Sequence, residues 1–129
     1  MKTFMSCVVL LGIGTGLLVG NVGVAETTSG EEFIAHGTEP FWSVTVSKRG
    51  IVYSSPDIQK QAFPYVTPLK AQGRPVELMR VYPLKGRSNN TLIIKKVDVC
   101  SDGMSDQEYP YSVTLILGNK VLEGCAEKQ

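Results

Sequence analysis

The sequence predicts an all-β domain: a small antiparallel β-barrel of about seven or eight strands, lipocalin-like or lysozyme-inhibitor-like, closed by one disulfide. Three observations predict it. Short apolar runs alternate with polar residues at period two. Glycine, proline and asparagine punctuate them at short, regular spacing. Beyond the first 25 residues, no stretch of about ten shows helical periodicity free of proline or glycine. A closed barrel is preferred to an open sheet because closure disposes of unpaired edges.

The chain has 129 residues, enough for one domain. Its opening reads as a secretory signal peptide, residues 1–25. Lys2 supplies the positive start, Val8 to Val19 is apolar apart from glycines and Thr15, and Gly23-Val24-Ala25 places small residues at a cut after Ala25. The rival reading is a membrane anchor, which needs about 20 apolar residues. This run is shorter and carries Gly12, Gly14, Gly16 and Gly20. Cys7 precedes the run instead of following it, which excludes lipoprotein processing. The protein is therefore expected to be exported, periplasmic or secreted, without membrane insertion after signal removal.

Residues 26–32 (ETTSGEE) read as a flexible polar tail, and residues 33–129 as a single β-domain. Trp42, Val44 and Val46 share one face of a strand, with Ser43 and Thr45 on the other. Lys48-Arg49-Gly50 turns it into Ile51-Val52-Tyr53, a hairpin. Pro56, Pro64, Pro68, Pro75 and Pro83 break up the middle, and proline in a sheet is confined to edges, bulges or strand starts. Val76 to Tyr82 is expected as a strand, with Val76, Leu78 and Tyr82 opposed to Glu77 and Met79. Gly86 to Asn90 is a turn, and Leu92 to Val99 a strand rich in branched residues. Tyr111, Val113, Leu115 and Leu117 alternate with Ser112 and Thr114 before a two-residue turn, Gly118-Asn119. That turn places Leu117 opposite Lys120 and Ser112 opposite Cys125, and it brings Cys100 in from the preceding strand.

Cys100 and Cys125 remain once Cys7 leaves with the signal, and an oxidising destination favours their bridge. The alternative is a free or metal-binding thiol pair, but two thiols without a companion histidine make a poor zinc site. Removing residues 1–25 takes Lys2 and no acid, leaving 12 basic against 12 acidic residues. Neutrality with no basic run argues against a nucleic-acid partner.

Catalysis is under-equipped, and no enzyme is expected. His36 is the sole histidine, and Ser43 and Ser47 lie in a strand with no nucleophile turn. Glycine-rich phosphate loops are absent. Two clusters remain. Asp98 to Pro110 (DVCSDGMSDQEYP) is the densest polar segment, where Asp98, Asp102, Asp106 and Glu108 are weak calcium candidates whose spacing does not match a helix-loop-helix site. Paired carboxylates for sugar hydrolysis are the further reading of the same residues. Gly37 to Trp42 (GTEPFW) is the second cluster, read either as a turn and a core tryptophan or as the rim of a ligand mouth. The candidate contact residues are Glu39, Phe41, Trp42, Asp102, Met104, Asp106 and Tyr109, with no catalytic residue and no cofactor.

At these segments the chain resembles a family of uncharacterised bacterial exported proteins. The shared pattern is Gly37 to Trp42, Cys100 to Asp106 (CSDGMSD), Tyr109-Pro110 and Gly124-Cys125. The family is similar to small envelope β-domains found beside META-type and lysozyme-inhibitor-like modules, although this chain lacks their lipid-attachment cysteine. The resemblance implies export, the disulfide and a β-fold, and it carries no catalytic residue across. The expected function is a non-enzymatic binding domain, monomeric, whose partner is a small ligand or an envelope protein. The alternatives are an inhibitor of an envelope enzyme such as a lysozyme or protease, a carboxylate hydrolase, and a structural envelope module.

Overall fold

The computed structural model describes residues 31–58 and 60–129. The expected signal peptide and most of the expected tail lie outside the described residues. Eight antiparallel strands follow one another: β1 (Phe33–Thr38), β2 (Phe41–Ser47), β3 (Gly50–Ser54), β4 (Gln61–Phe63), β5 (Met79–Leu84), β6 (Asn90–Ser101), β7 (Glu108–Leu117) and β8 (Lys120–Lys128). Their order across the sheet is β4-β3-β2-β1-β8-β7-β6-β5. Two four-stranded meanders are therefore joined where the last strand returns to the first, pairing Phe33 with Lys128 and His36 with Cys125. The sheet curls into a nearly closed barrel. Between its edges, β4 and β5, runs the segment after Phe63. There Leu69 and Val81 exchange both backbone hydrogen bonds, at 2.8 and 2.9 Å, which covers part of the β5 edge.

The inward face is continuous. Phe33, Trp42, Val44, Val46, Ile51, Tyr53, Tyr82, Leu92, Ile94, Val113 and Leu115 are all buried in one cluster, following the period-two alternation of each strand. The hairpin registers match those expected from the turns: Leu117 faces Lys120, and Ser112 faces Cys125. Gly118 takes a positive φ of 65° in that turn, a conformation glycine adopts without steric cost. Its amide donates to Asn90 Oδ1 at 3.0 Å, which ties the turn to the start of β6.

Prolines fall where a missing donor is harmless. Pro83 lies in β5 at the sheet edge. Pro110 lies in a central strand but opposite the register shift between Lys96 and Cys100, where the ladder is already interrupted. Two strand boundaries differ from expectation: β6 spans Asn90–Ser101, taking in Asn90 that was expected in the turn, and the strand expected over Val76–Tyr82 starts late. Val76–Leu78 forms a single 3-10 turn, and β5 starts only at Met79. The strand alternation runs through 80, 82 and 84, and it turns Arg80 inward beside Tyr82, with Arg80 fully buried. Glu31 and Glu32, at the end of the segment read as tail, are held. The Glu31 carboxylate pairs with Arg80, and Gln129 donates its amide to the Glu32 carbonyl at 2.9 Å.

Candidate functional site

The two sequence clusters, more than 50 residues apart, meet on the outside of the barrel. They meet because β1 and β8 are neighbours and the β6–β7 connection folds back onto them. The Cys100–Cys125 disulfide, with Cα atoms 5.8 Å apart, fastens the end of β6 to β8. Cys125 in turn stands opposite His36 in the β1–β8 ladder. From β1, Thr38 donates its hydroxyl to the Asp102 carbonyl at 2.9 Å, and His36 Nε2 lies 3.4 Å from Asp102 Oδ2. The His36 ring packs edge-on against Tyr109, with centroids 4.9 Å apart. The β1–β2 turn, which contains a cis peptide at Glu39-Pro40, closes the same side.

Asp102 organises the loop. Its Oδ1 accepts the amides of Met104 at 2.9 Å and Ser105 at 3.0 Å, and Oδ2 faces His36. These amide donors stabilise the carboxylate and hold the Asp102 pKa below its ordinary value, with His36 adding to the effect. Asp102 is thus an ionised acceptor with its lone pairs committed, the opposite of a general acid. Ser43 stands opposite His36 in the β1–β2 ladder, but its hydroxyl is hydrogen-bonded to Ser54 at 3.0 Å.

Between these elements lies a groove of about 520 Å³, lined by Thr38, Glu39, Ser101, Asp102, Ser112, Thr114, Val121 and Glu123 among others. Its floor is the outer face of β7 and β8. Its walls are the β1–β2 turn and the base of the β6–β7 loop. Half of the lining residues carry hydroxyls or carboxylates, and Val121 is an exposed apolar side chain among them. Such a surface can donate and accept hydrogen bonds to a polar ligand and attract cationic groups.

The candidate contact residues divide three ways. Glu39 and Asp102 border the groove. Phe41, 55% exposed, instead borders a smaller hollow of about 310 Å³ with Trp42, Ser43, Ser54 and Pro56, while Met104 and Asp106 sit exposed on the loop. Trp42 and Tyr109 are buried, and Trp42 belongs to the core cluster.

The glycines of both motifs explain the tryptophan's seat. A side chain on Gly37 would overlap the Trp42 indole, and one on Gly124 would overlap the His36 carbonyl and meet the indole at 2.9 Å. Much of the GTEPFW and GC pattern is therefore packing. Among the described residues, no three histidine, cysteine, aspartate or glutamate side chains converge to hold a metal, and the calcium candidates Asp98, Asp102, Asp106 and Glu108 stay apart.

Sequence reasoning missed Ser112, Thr114 and Glu123 as lining residues. Ser112 and Thr114 were legible as outward positions of β7, but which outward face the loop would roof was not. It also missed Glu31 and Arg80, whose signal was a charge in phase with inward Tyr82 and Leu84. Comparison with known proteins finds no matching family model, no matching curated protein and no matching solved structure.

Proposed function

We propose that this chain is an exported, non-enzymatic β-barrel that binds a polar ligand or a protein surface in the groove between the β1–β2 turn and the β6–β7 loop. The observation that carries the reading is the clamp. Thr38 and His36 on one strand and the disulfide on another converge on Cys100–Asp102, so the roof of an otherwise open groove is held rigid. A preorganised site loses less entropy on binding than a mobile one. Its hydroxyl and carboxylate lining suits hydrogen-bonded ligands more than an apolar guest. Backbone NMR titration with soluble glycan-peptide fragments of the cell envelope tests it. Shifts confined to Thr38, Ser101, Thr114 and Glu123, and abolished by Thr114→Trp, support the groove. Binding that survives Thr114→Trp unchanged would sink the site.

A second reading is an inhibitor of an envelope enzyme. It rests on the loop itself, where Met104, 66% exposed, stands on a base pinned by the Asp102 hydrogen bonds. Asp106 lies exposed on the same connection and Glu108 at the start of β7, and an acidic rigid loop complements a basic enzyme cleft. A lysozyme assay at micromolar excess of the purified domain separates the readings, because groove ligands leave the lysozyme rate untouched.

A further inference from the structure

The group least expected inside this barrel is a cation. Arg80, the second residue of β5, is 0% exposed. Its guanidinium lies 4.9 Å from the Phe33 ring centroid and 5.6 Å from that of Tyr111. Burial of a charge is strongly unfavourable unless it is paired and hydrogen-bonded. Here Nε donates to Glu31 Oε1 at 2.6 Å, Nη2 to Glu31 Oε2 at 2.9 Å, and Nη1 to the Glu77 carbonyl at 3.2 Å. Two parallel donors on two carboxylate oxygens form the fork by which arginine recognises a carboxylate.

The two halves of this pair are held differently. Arg80 is embedded in the β5–β6 ladder opposite Ile94. Glu31 precedes β1, and its side chain is 38% exposed, with Lys128 Nζ 3.2 Å from Oε2. The cation belongs to the barrel, while its anion reaches in from the chain's flank. A third group is left over. Tyr82, two residues along the same inward face, is fully buried, and its hydroxyl has no hydrogen-bond partner among the described residues. Burial is the main reason its pKa is raised far above the ordinary value, and it lies close enough to Arg80 and Glu31 to feel both charges. It therefore stays protonated as an unused donor.

We propose that Arg80 is a carboxylate-binding site which Glu31 fills from within the chain. A free carboxylate, from a small organic acid or from the C-terminus of a peptide, takes the same fork when Glu31 leaves it. Phe33 and Tyr111 flank the fork, and Lys128 supplies a second charge at its mouth. None of these residues borders the groove, so the site stands or falls independently of the function proposed above.

The test uses Glu31→Ala, with Glu31→Gln as the second variant should alanine prevent folding. Sodium acetate, an N-acetylated dipeptide with a free C-terminus and its C-terminal amide are titrated at ionic strength matched with sodium chloride. The Arg80 side-chain N–H resonances and the melting temperature are read. Acetate is expected to shift the Arg80 Nε–H resonance saturably and to raise the melting temperature of the variant toward the parent value. It should bind the parent at least about tenfold more weakly, because the tethered carboxylate competes at high effective concentration. Tighter binding of the dipeptide than of acetate assigns the site to chain termini, and equal binding assigns it to small carboxylates. Amide binding as strong as the free acid, or a folded variant whose Arg80 resonance ignores acetate, overturns the proposal.

Discussion

Thr38 donates its hydroxyl to the backbone carbonyl of Asp102 at 2.9 Å across 64 residues of sequence. That single bond joins the two segments whose composition stood out in the sequence. It does so on the outside of the barrel, while Trp42 and Tyr109 of the same segments stay buried. The His36 contact to the same aspartate and the disulfide one residue beyond Ser101 make the junction redundant. Redundancy predicts that loosening one contact alters the loop before it alters the fold.

Asp102→Asn is expected to leave the barrel folded and to speed hydrogen exchange at the Met104 and Ser105 amides by roughly tenfold, since charge-assisted hydrogen bonds are the stronger kind. The same carboxylate sets a pH dependence. Its folded pKa is depressed below the ordinary aspartate value. Its contribution is therefore fully present above that value and is lost as the pH falls through the lower folded pKa. Exchange at those amides should accelerate below about pH 4 in the parent, and Asp102→Asn should flatten that acid limb.

The disulfide closes a separation of 25 residues. Cys100→Ser with Cys125→Ser is expected to destabilise the domain by about 3.5 kcal/mol on the chain-entropy view. For a domain near 100 residues, that lowers the melting temperature by about 15–25 °C. Thermal unfolding with and without reductant checks it, and an unchanged melting temperature would contradict the assigned role.

Gly124 sits where any side chain meets the His36 carbonyl and the indole of Trp42. A backbone oxygen in a strand ladder cannot move aside cheaply. Gly124→Ala should cost about 2–3 kcal/mol, measured by denaturant unfolding at constant m-value.

Adjacent aromatics should separate cleanly. Trp42 is 4% exposed and Phe41 55%. Trp42→Ala is expected to cost about 3–5 kcal/mol, whereas Phe41→Ala should stay within about 0.5 kcal/mol. Equal losses would mean that Phe41 is packed in solution.

Tyr82→Phe removes a buried hydroxyl that has no partner among the described residues. Desolvation of that group opposes folding without return, so the variant should be stabilised by about 1 kcal/mol. A loss of that size would instead reveal a bound water on the hydroxyl.

Several features were legible before any coordinates because their causes are local. The inward face of β2 followed from Trp42, Val44 and Val46 at period two. The β7–β8 register followed from a two-residue turn at Gly118-Asn119, which leaves one way to align Leu117 with Lys120. With that register set, the bridge from Cys100 to Cys125 followed from the strand before. Each rests on bond geometry and side-chain alternation over a few residues.

Tertiary structure alone decided three things. It paired β1 with β8, which no local signal encodes because the partners lie about 90 residues apart. It folded the β6–β7 connection over the outer face of β7 and β8, and so turned Ser112 and Thr114 from solvated positions into a groove floor. It also brought Glu31 to Arg80, which makes an inward charge in β5 tolerable. The sequence by itself determines alternation, turns and the available cross-link, because these are short-range consequences of sterics and solvation. Which surfaces meet is settled only when the whole chain closes, because a long-range contact forms only where its energy outweighs the entropy of bringing distant segments together.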